Sequence, residues 1–295
     1  MANSEDNLFV SLIRRYLPYW PLFLTLLILS LAGAWAYLKY YTVPSYDISA
    51  SLLIKDEKKG VSDPKMTEAI DAFTSNKIVE NEINVIHSHA LMKKVVHKLG
   101  LYAPVYEEDR FRSISAYTSS PITLRLRDPE KAQEHYNVYF TFDQARNQVV
   151  INNERYDIDK WVKTPYGEIW FSKNQNQTEE PTYPLYFSII HPKKITKQLL
   201  NEVSVESTSK LSTVVMLWLQ DQSPKRGEDI LNTLINTYTQ VADSEKDKLA
   251  ANTLAFVENR IKLVEQELDE LESKVERYKA TNGAVDLSEQ SKLYL

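Results

Sequence analysis

The sequence predicts an α+β protein with an N-terminal transmembrane helix, a membrane-proximal α/β domain with a β-rich insert, and a very long C-terminal projecting helix. Three observations predict this fold class: residues 16–38 contain no charged side chain, short runs of β-branched and aromatic residues fill the middle third, and no proline follows Pro224. The predicted divisions are an N-terminal segment (1–19), the transmembrane helix (20–40), two parts of the α/β domain (41–101 and 193–223), the β-rich insert (102–192) and the coiled-coil-like helix (224–295).

The segment 20–40 is long and apolar enough to cross a bilayer, because about 20 apolar residues at 1.5 Å per residue span the hydrocarbon layer. Tyrosine and tryptophan flank both of its ends, as in the aromatic belts of spanning helices. The small residues Ala32-Gly33-Ala34 lie inside the apolar run and not after it, which argues against a cleaved signal peptide. We therefore expect a retained membrane anchor, and the nearly balanced basic residues on its two sides leave its orientation open.

The residues after the anchor predict a mixture of strands and helices. Residues 46–54 alternate apolar and polar side chains, which is typical of a half-buried strand, and 76–98 have helical periodicity. Tyrosine, phenylalanine and β-branched residues recur between 102 and 192 in short runs separated by turn residues, which predicts β-hairpins. The run Val214–Leu219 is apolar throughout and predicts a central strand covered on both faces.

Aromatic side chains are dense in the predicted insert, and ring faces suit the apolar faces of sugars or the surfaces of partner proteins. Because side chains alternate along a strand, some of these rings point outward while others fill the core. The candidates for contact with a sugar or a partner are Trp161, Tyr166, Trp170 and Tyr183.

One uninterrupted helix is predicted from Pro224 to Asn282, with Ser223 as its cap and a proline in its first turn. At 1.5 Å per residue such a helix is about 88 Å long. The apolar residues of its second half are spaced alternately three and four apart, as in a coiled-coil seam. This seam consists of Leu254, Val257, Ile261, Val264, Leu268, Leu271, Val275 and Tyr278. We expect either a neighbouring copy of the chain or a returning helix to cover it.

Composition and motifs exclude several classes of protein. The 35 Lys and Arg against 40 Asp and Glu give a formal charge of −5, whereas a nucleic-acid binder driven by bulk charge is basic. The absence of cysteine excludes disulfides, thiolate metal sites and a thiol nucleophile. None of the 6 glycines precedes a lysine, so the sequence has no Walker A phosphate loop. We therefore expect no enzymatic activity, cofactor, metal or nucleic-acid partner for these 295 residues.

Four stretches carry a resemblance to a known family. The most specific is EINVIHSHALMKKVVHKLGL at 82–101; the others are PSYDISA at 44–50, the strand at 214–219 with the helix through Tyr238, and the coil that ends in ERYKATN at 276–282. Together they resemble the chain-length determinants, or polysaccharide co-polymerases, of bacterial inner membranes. The resemblance is strongest to the longer members that are fused to a cytoplasmic tyrosine autokinase.

The resemblance implies an inner-membrane (plasma-membrane) protein with a cytoplasmic N-terminus and a periplasmic main domain. It also implies a homo-oligomeric ring that acts on a membrane polysaccharide polymerase or an outer-membrane export channel. Such a ring controls the chain length of capsule, exopolysaccharide or lipopolysaccharide O-antigen, with the polysaccharide itself as a further partner. No catalytic residue carries over from the family.

Some parts of the family pattern do not occur in this sequence, namely the second spanning helix with its proline-rich approach, the Walker motifs and the tyrosine cluster of the kinase-bearing members. We therefore expect the chain to be a fragment of a longer protein. One alternative function is the sensing and membrane portion of a tyrosine autokinase whose kinase domain lies beyond Leu295. A third is a periplasmic adaptor of a secretion or efflux system, although the coil of an adaptor lies between two β-rich halves.

Overall fold

The computed structural model describes residues 16–54, 68–209 and 212–282. The chain divides into two compact units, residues 1–237 and 238–295. Residues 1–15 of the predicted N-terminal segment and residues 283–295 of the predicted C-terminal helix lie outside the described residues. The predicted domain bounds stay a prediction.

Helix α1 (Trp20–Tyr40) follows a short 3-10 turn at Leu17–Tyr19. Residues 17–40 together are long and apolar enough to cross a membrane. A core helix of a soluble protein would be covered by its own chain, but no residue of α1 is buried. The exposure of α1 along its whole length therefore favours a lipid environment for this helix.

The first sheet has three antiparallel strands. Its central strand β12 (Val214–Asp221) pairs along its whole length with β1 (Tyr46–Leu53) and on its other side with β11 (Ser204–Ser207). The predicted coverage of β12 on both faces was wrong: alternate side chains are buried, while Trp218 on the opposite face is exposed. Only one face of this sheet carries the core, because successive side chains of a strand point to opposite faces.

Three shorter helices belong to the first unit: α2 (Glu68–Ile86), α3 (His89–Leu99) and α4 (Pro192–Glu202). The helical periodicity over 76–98 thus belongs to two helices and not to one. Helix α3 begins as a separate helix because Ser88 caps its N-terminus: the Ser88 hydroxyl accepts a hydrogen bond from the Leu91 N–H at 3.3 Å. It ends at Gly100, which has a φ of 67° in the left-handed region.

Two further antiparallel sheets form the middle of the chain. The larger has six strands in the order β3-β2-β10-β5-β6-β7, and the smaller has three in the order β4-β9-β8. Their bounds are β2 (Val105–Glu108), β3 (Ser113–Ser115), β4 (Ile122–Leu126), β5 (His135–Asp143), β6 (Gln148–Ile151), β7 (Glu154–Asp157), β8 (Trp161–Thr164), β9 (Gly167–Lys173) and β10 (Leu185–Ile189). The buried side chains of these strands form most of the core in this part of the chain.

The predicted fold class, an α/β domain that carries a β-rich insert, was wrong. The chain is an α+β protein in which nine of the twelve strands among the described residues lie between residues 105 and 189 and form a substantial β-rich body. An α/β domain is built on parallel strands joined by crossover helices, but every strand pair among the described residues is antiparallel. Five of these nine strands have only three or four residues, and four of the five show too little alternation to be recognised in the sequence: β2, β3, β7 and β8.

Helix α5 (Pro224–Asn282) is a single helix of 59 residues with the bounds that the sequence predicts. Its first turns, which belong to the first unit, approach strand β1 closely. A Cβ atom on Gly227 would lie 2.6 Å from Cδ1 of Ile48 and 2.9 Å from its Cγ1. Glycine at this position therefore permits a distance between helix and strand that any side chain would prevent.

Candidate interaction surfaces

The predicted seam lies entirely within the second unit. All eight of its residues are exposed, from 44% at Val257 to 68% at Tyr278. Their alternating three- and four-residue spacing places them on one face of α5. This face therefore forms an apolar stripe with no cover among the described residues of the chain. The partner that covers the seam stays a prediction.

Charged side chains flank the seam on both sides. One edge carries Glu258, Glu265, Glu272 and Lys279, and the other carries Arg260, Glu267 and Lys274. The sequence also offers the helical pairs Glu258–Lys262 and Glu270–Lys274, but neither is within ion-pair distance in the described part of α5. These charges are therefore available to a partner of the seam.

Two of the four predicted aromatic contact residues form a pair. Trp161 on β8 and Trp170 on β9 lie opposite each other, with ring centroids 5.6 Å apart in an edge-to-face arrangement. Arg125 on β4 lies opposite Trp170 on its other side. Because directly opposed residues share a face of a sheet, these three side chains form a row across the smaller sheet. We call them the Trp161–Trp170–Arg125 row.

The row borders a polar cavity of about 560 Å³ that Trp170 and Arg125 line. Asn174, which also lines this cavity, donates hydrogen bonds of 2.8 Å to the carbonyls of Tyr117 and Ser120 and is thereby fixed in place. The indole ring of Trp170 beside the guanidinium of Arg125 combines an apolar face with hydrogen-bond donors. This chemistry suits a polyhydroxylated ligand such as a sugar.

The other two predicted contact residues lie elsewhere. Tyr166, in the turn between β8 and β9, packs against His135 with a centroid distance of 5.0 Å and lines a different cavity of about 330 Å³. Tyr183 is exposed and lines a third cavity of about 480 Å³. The four aromatic residues therefore do not form one site. Arg125 was not among the predicted contact residues, although the alternation over 122–126 already places it on the opposite face from the apolar side chains of that strand.

The start of α5 is fixed to the β-rich body by a polar network. The Tyr117 hydroxyl donates to Oδ2 of Asp229 at 2.7 Å, and Lys225 Nζ donates to Oδ1 of the same carboxylate at 2.8 Å. Asn176 Nδ2 donates to Oδ2 at 3.2 Å. Burial, and next the hydrogen bond to Asp229, raises the pKa of Tyr117 above its ordinary value. These groups satisfy one another, and their role is structural.

An ion pair stabilises the end of β12. Arg226 Nη1 lies 2.7 Å from Oδ2 of Asp221, whose carboxylate is buried and also accepts a 2.9 Å hydrogen bond from the Ser223 N–H. Both groups line a further cavity of about 960 Å³, but their charges are directed at each other. Among the described residues no group of three or more His, Cys, Asp or Glu side chains is placed to hold a metal ion.

The chain has a distant similarity to a known protein. No family model matches the chain. The chain is similar to the tyrosine-protein kinase ptk of Acinetobacter johnsonii, with 23% identity over 323 aligned positions that cover 100% of the chain and 43% of the kinase. The chain thus spans less than half the length of that relative. Because the chain also lacks a Walker A motif, no catalytic activity is indicated for these residues.

Proposed function

We propose that this chain is the membrane-anchored, oligomeric scaffold of a bacterial regulator that controls the chain length and export of a surface polysaccharide. The observation that carries the proposal is the similarity of the whole chain to a bacterial tyrosine kinase, since the kinase-fused polysaccharide co-polymerases combine such an anchor with such a kinase. In this proposal the protein lies in the inner membrane with its N-terminus in the cytoplasm and its β-rich body in the periplasm. It acts on a membrane polymerase or an outer-membrane export channel.

The exposed seam supports an oligomer. Eight half-exposed apolar side chains on one helix face are unfavourable in water, and covering each contributes on the order of 1 kcal/mol. The proposed cover is a second copy of this chain, because the membrane anchor confines all copies to one layer with the same orientation. Copies held in parallel present equivalent seams at the same height above the bilayer.

The charges beside the seam bear on how two copies meet. In an antiparallel pair with full overlap of the seams, Glu265 meets its own copy and Arg260 meets Lys274, so that like charges are opposed. A ring avoids this arrangement, because its contacts are heterologous and one face of a subunit meets a different face of the next. The charge pattern therefore favours a ring of parallel copies over an antiparallel dimer.

The polymer itself is the second proposed partner. The Trp161–Trp170–Arg125 row supports this assignment, since it combines two indole faces with a guanidinium at the edge of a polar cavity. Tyr166 and Tyr183 line other cavities, so we do not assign them to this contact.

Light scattering of the full chain in detergent tests the proposed oligomer, with Leu268→Asp as the seam variant. We expect an oligomer for the natural chain and at least a tenfold weaker association for the variant, because an aspartate at the seam is desolvated on contact. The matched control is Leu263→Asp, which places the same change at an exposed position of the same helix outside the seam. A strictly monomeric natural chain at micromolar concentration, or equal effects of both variants, would contradict the proposal.

A second candidate function is the sensing and membrane portion of a tyrosine autokinase. The 43% coverage of a protein named a tyrosine kinase favours it. The coding sequence downstream of Leu295 tests this second candidate: an autokinase continues with a second apolar span and a G-x-x-x-x-G-K-[ST] motif. A reading frame that continues without either would eliminate the kinase and leave the scaffold.

A further inference from the structure

A hairpin of the β-rich body contacts the end of the membrane helix. Strands β2 and β3 are joined by residues 109–112, and the loop is closed by a 3.0 Å hydrogen bond from the Asp109 N–H to the Arg112 carbonyl. At the tip of this loop, the ring of Phe111 lies 5.5 Å from the ring of Tyr41 and 6.2 Å from that of Tyr40. The tip therefore stands beside the last turn of α1.

A second contact fixes the loop to the segment that follows α1. The guanidinium of Arg112 donates through Nη1 to the Thr42 carbonyl at 2.5 Å, while its Nε lies 3.3 Å from Oδ2 of Asp109. The Asp109 carboxylate also accepts a 2.7 Å hydrogen bond from the Arg110 N–H through Oδ1. These contacts connect the loop to the segment that follows α1 and place Phe111 beside the end of that helix.

The length of the helix gives the depth of the loop. The 24 residues over 17–40 extend about 36 Å at 1.5 Å per residue, whereas the hydrocarbon layer is about 30 Å thick. If the segment is centred in the bilayer, each of its ends lies about 3 Å outside the hydrocarbon, among the lipid headgroups. Phe111, one ring away from Tyr40 and Tyr41, then lies at the same level.

The exposed groups of the loop fit that environment. Phe111 remains 56% exposed although it contacts two tyrosines, and the neighbouring Arg110 is exposed too. The same end of α1 carries a further cation, Lys39, whose Nζ lies 4.9 Å from the centroid of the Trp35 ring. Aromatic rings with adjacent basic groups are typical of surfaces that lie in the interface of an anionic bilayer.

We propose that the loop 109–112 is a second membrane contact, in which Phe111 inserts between lipid headgroups and Arg110 binds their phosphates. The inference rests on the membrane anchor of the proposed function and adds a lipid-binding site on the β-rich body. Together with the anchor, the loop gives the body two points of attachment to the bilayer. The body can then no longer rotate freely about α1.

The absence of cysteine from the chain allows a direct test with single-cysteine variants that carry an environment-sensitive fluorophore. The full chain is placed in phosphatidylcholine–phosphatidylglycerol vesicles that contain either a headgroup-level or a deep acyl-chain quencher. We expect the label at Phe111→Cys to be quenched at least twofold by the headgroup-level quencher. The matched control is Ala145→Cys, an exposed position in the turn between β5 and β6, which we expect to stay unquenched.

Two additional variants keep the test decisive. Ser113→Cys reports on the loop while Phe111 is kept, and we expect its quenching to fall at least twofold when Phe111→Asp is added. Arg110→Gln tests the charge, since the quenching at position 113 should then no longer rise with the share of phosphatidylglycerol. A dependence on this lipid that survives Arg110→Gln would overturn the role of Arg110.

A label at Leu29→Cys, in the middle of α1, separates the failure of the inference from the failure of the anchor. If the deep quencher reaches position 29 and position 111 behaves like position 145, the loop contact is overturned and the anchor stands. If position 29 is not quenched, both are overturned. A label at 111 that is shielded from aqueous iodide but not quenched by lipid would indicate a protein cover and would also overturn the lipid contact.

Discussion

Two apolar stretches of the same helix α5 differ in their burial. In the first, Ile230 and Leu234 are 0% exposed, whereas in the second, Leu268 is 54% and Leu271 57% exposed. The residue types are the same and the backbone is one continuous helix. The difference therefore lies in the arrangement of the apolar positions and in what surrounds them.

The width of the apolar stripe explains the difference. In the first stretch adjacent apolar pairs recur four residues apart, at Ile230–Leu231 and Leu234–Ile235, and this wide stripe suits a broad surface of strands and helices. The second stretch has the narrow three–four spacing that suits a single facing helix. The pattern thus indicates what kind of surface packs against a helix. It does not indicate whether that surface belongs to the same chain.

The largest expected effect comes from the same substitution, leucine to alanine, made in each of the two stretches. Leu234→Ala should lower the free energy of unfolding by about 2–5 kcal/mol, because it leaves a cavity in a fully buried site. Leu268→Ala should change it by less than about 0.5 kcal/mol at concentrations where the chain is monomeric, since the side chain is exposed there. Urea unfolding in detergent, followed by tryptophan fluorescence, measures both values.

The dependence of these two stability losses on protein concentration gives a further test. If a second copy covers the seam, the cost of Leu268→Ala should rise as the protein concentration rises, whereas the cost of Leu234→Ala should stay constant. An equally large loss for both variants in the monomer would mean that the seam is buried within one chain. That result would contradict the exposure of Leu268.

The sequence predicts the features of the chain that depend on long, regular patterns. The absence of charge over 16–38 suffices to locate helix α1, and the absence of proline after Pro224 suffices to bound helix α5. The seam can be identified for the same reason, because eight residues repeat one spacing. Each of these patterns is local, so a single stretch of sequence contains all the information that is needed to recognise the element.

The pairing of the strands could not be predicted, because it depends on residues far apart in the sequence. Leu126 pairs with Ile169 and Tyr46 with Asp221, and no local pattern contains such partners. The candidate site could not be predicted for the same reason: strand pairing brings Trp161 and Trp170 together, but Tyr183 lines a separate cavity. The predicted α/β domain was wrong because strand direction is likewise a property of pairing and not of a single strand.

A smaller effect is expected where the buried stretch begins. Gly227→Ala gains about 1 kcal/mol of helix propensity, but its methyl group would collide with Ile48 and cost about 1–3 kcal/mol through overpacking. We expect a net loss of stability for this variant in urea unfolding. The same kind of change at exposed Asn252, Asn252→Ala, should raise stability by a few tenths of a kcal/mol.

A double mutant identifies the collision as the cause of that loss. Ile48→Ala removes the two side-chain atoms that lie nearest to the new methyl group. In this background Gly227→Ala should be neutral or stabilising. The double mutant should therefore lose about 1 kcal/mol less stability than the sum of the losses of the two single variants. Strict additivity of the two substitutions would rule out the collision.

The smallest effect concerns the hydrogen bond that Tyr117 donates to Asp229 at the start of α5. Tyr117→Phe should cost about 1 kcal/mol at pH 7, since it removes one bond to a carboxylate that keeps Lys225 and Asn176 as partners. The pKa of Tyr117 is raised in the folded chain, first by burial and then by Asp229. Its contribution is therefore complete below the ordinary pKa of 10.0 and decreases as the pH rises above it.

The stability difference between tyrosine and phenylalanine at position 117 should decrease at high pH. Above pH 10 the unfolded chain loses the phenol proton while the folded chain keeps it, so the advantage of tyrosine over phenylalanine shrinks by up to about 1.4 kcal/mol per pH unit. Near pH 11 the two variants should be equally stable in urea unfolding. Tyr278→Phe makes the same change on an exposed ring of the seam and should have no effect between pH 7 and pH 11. If the difference in unfolding free energy between the natural chain and Tyr117→Phe stayed constant from pH 7 to pH 11, the prediction would be wrong. The Tyr117 hydroxyl would then not be buried against the first stretch of α5 in the way that the structure shows.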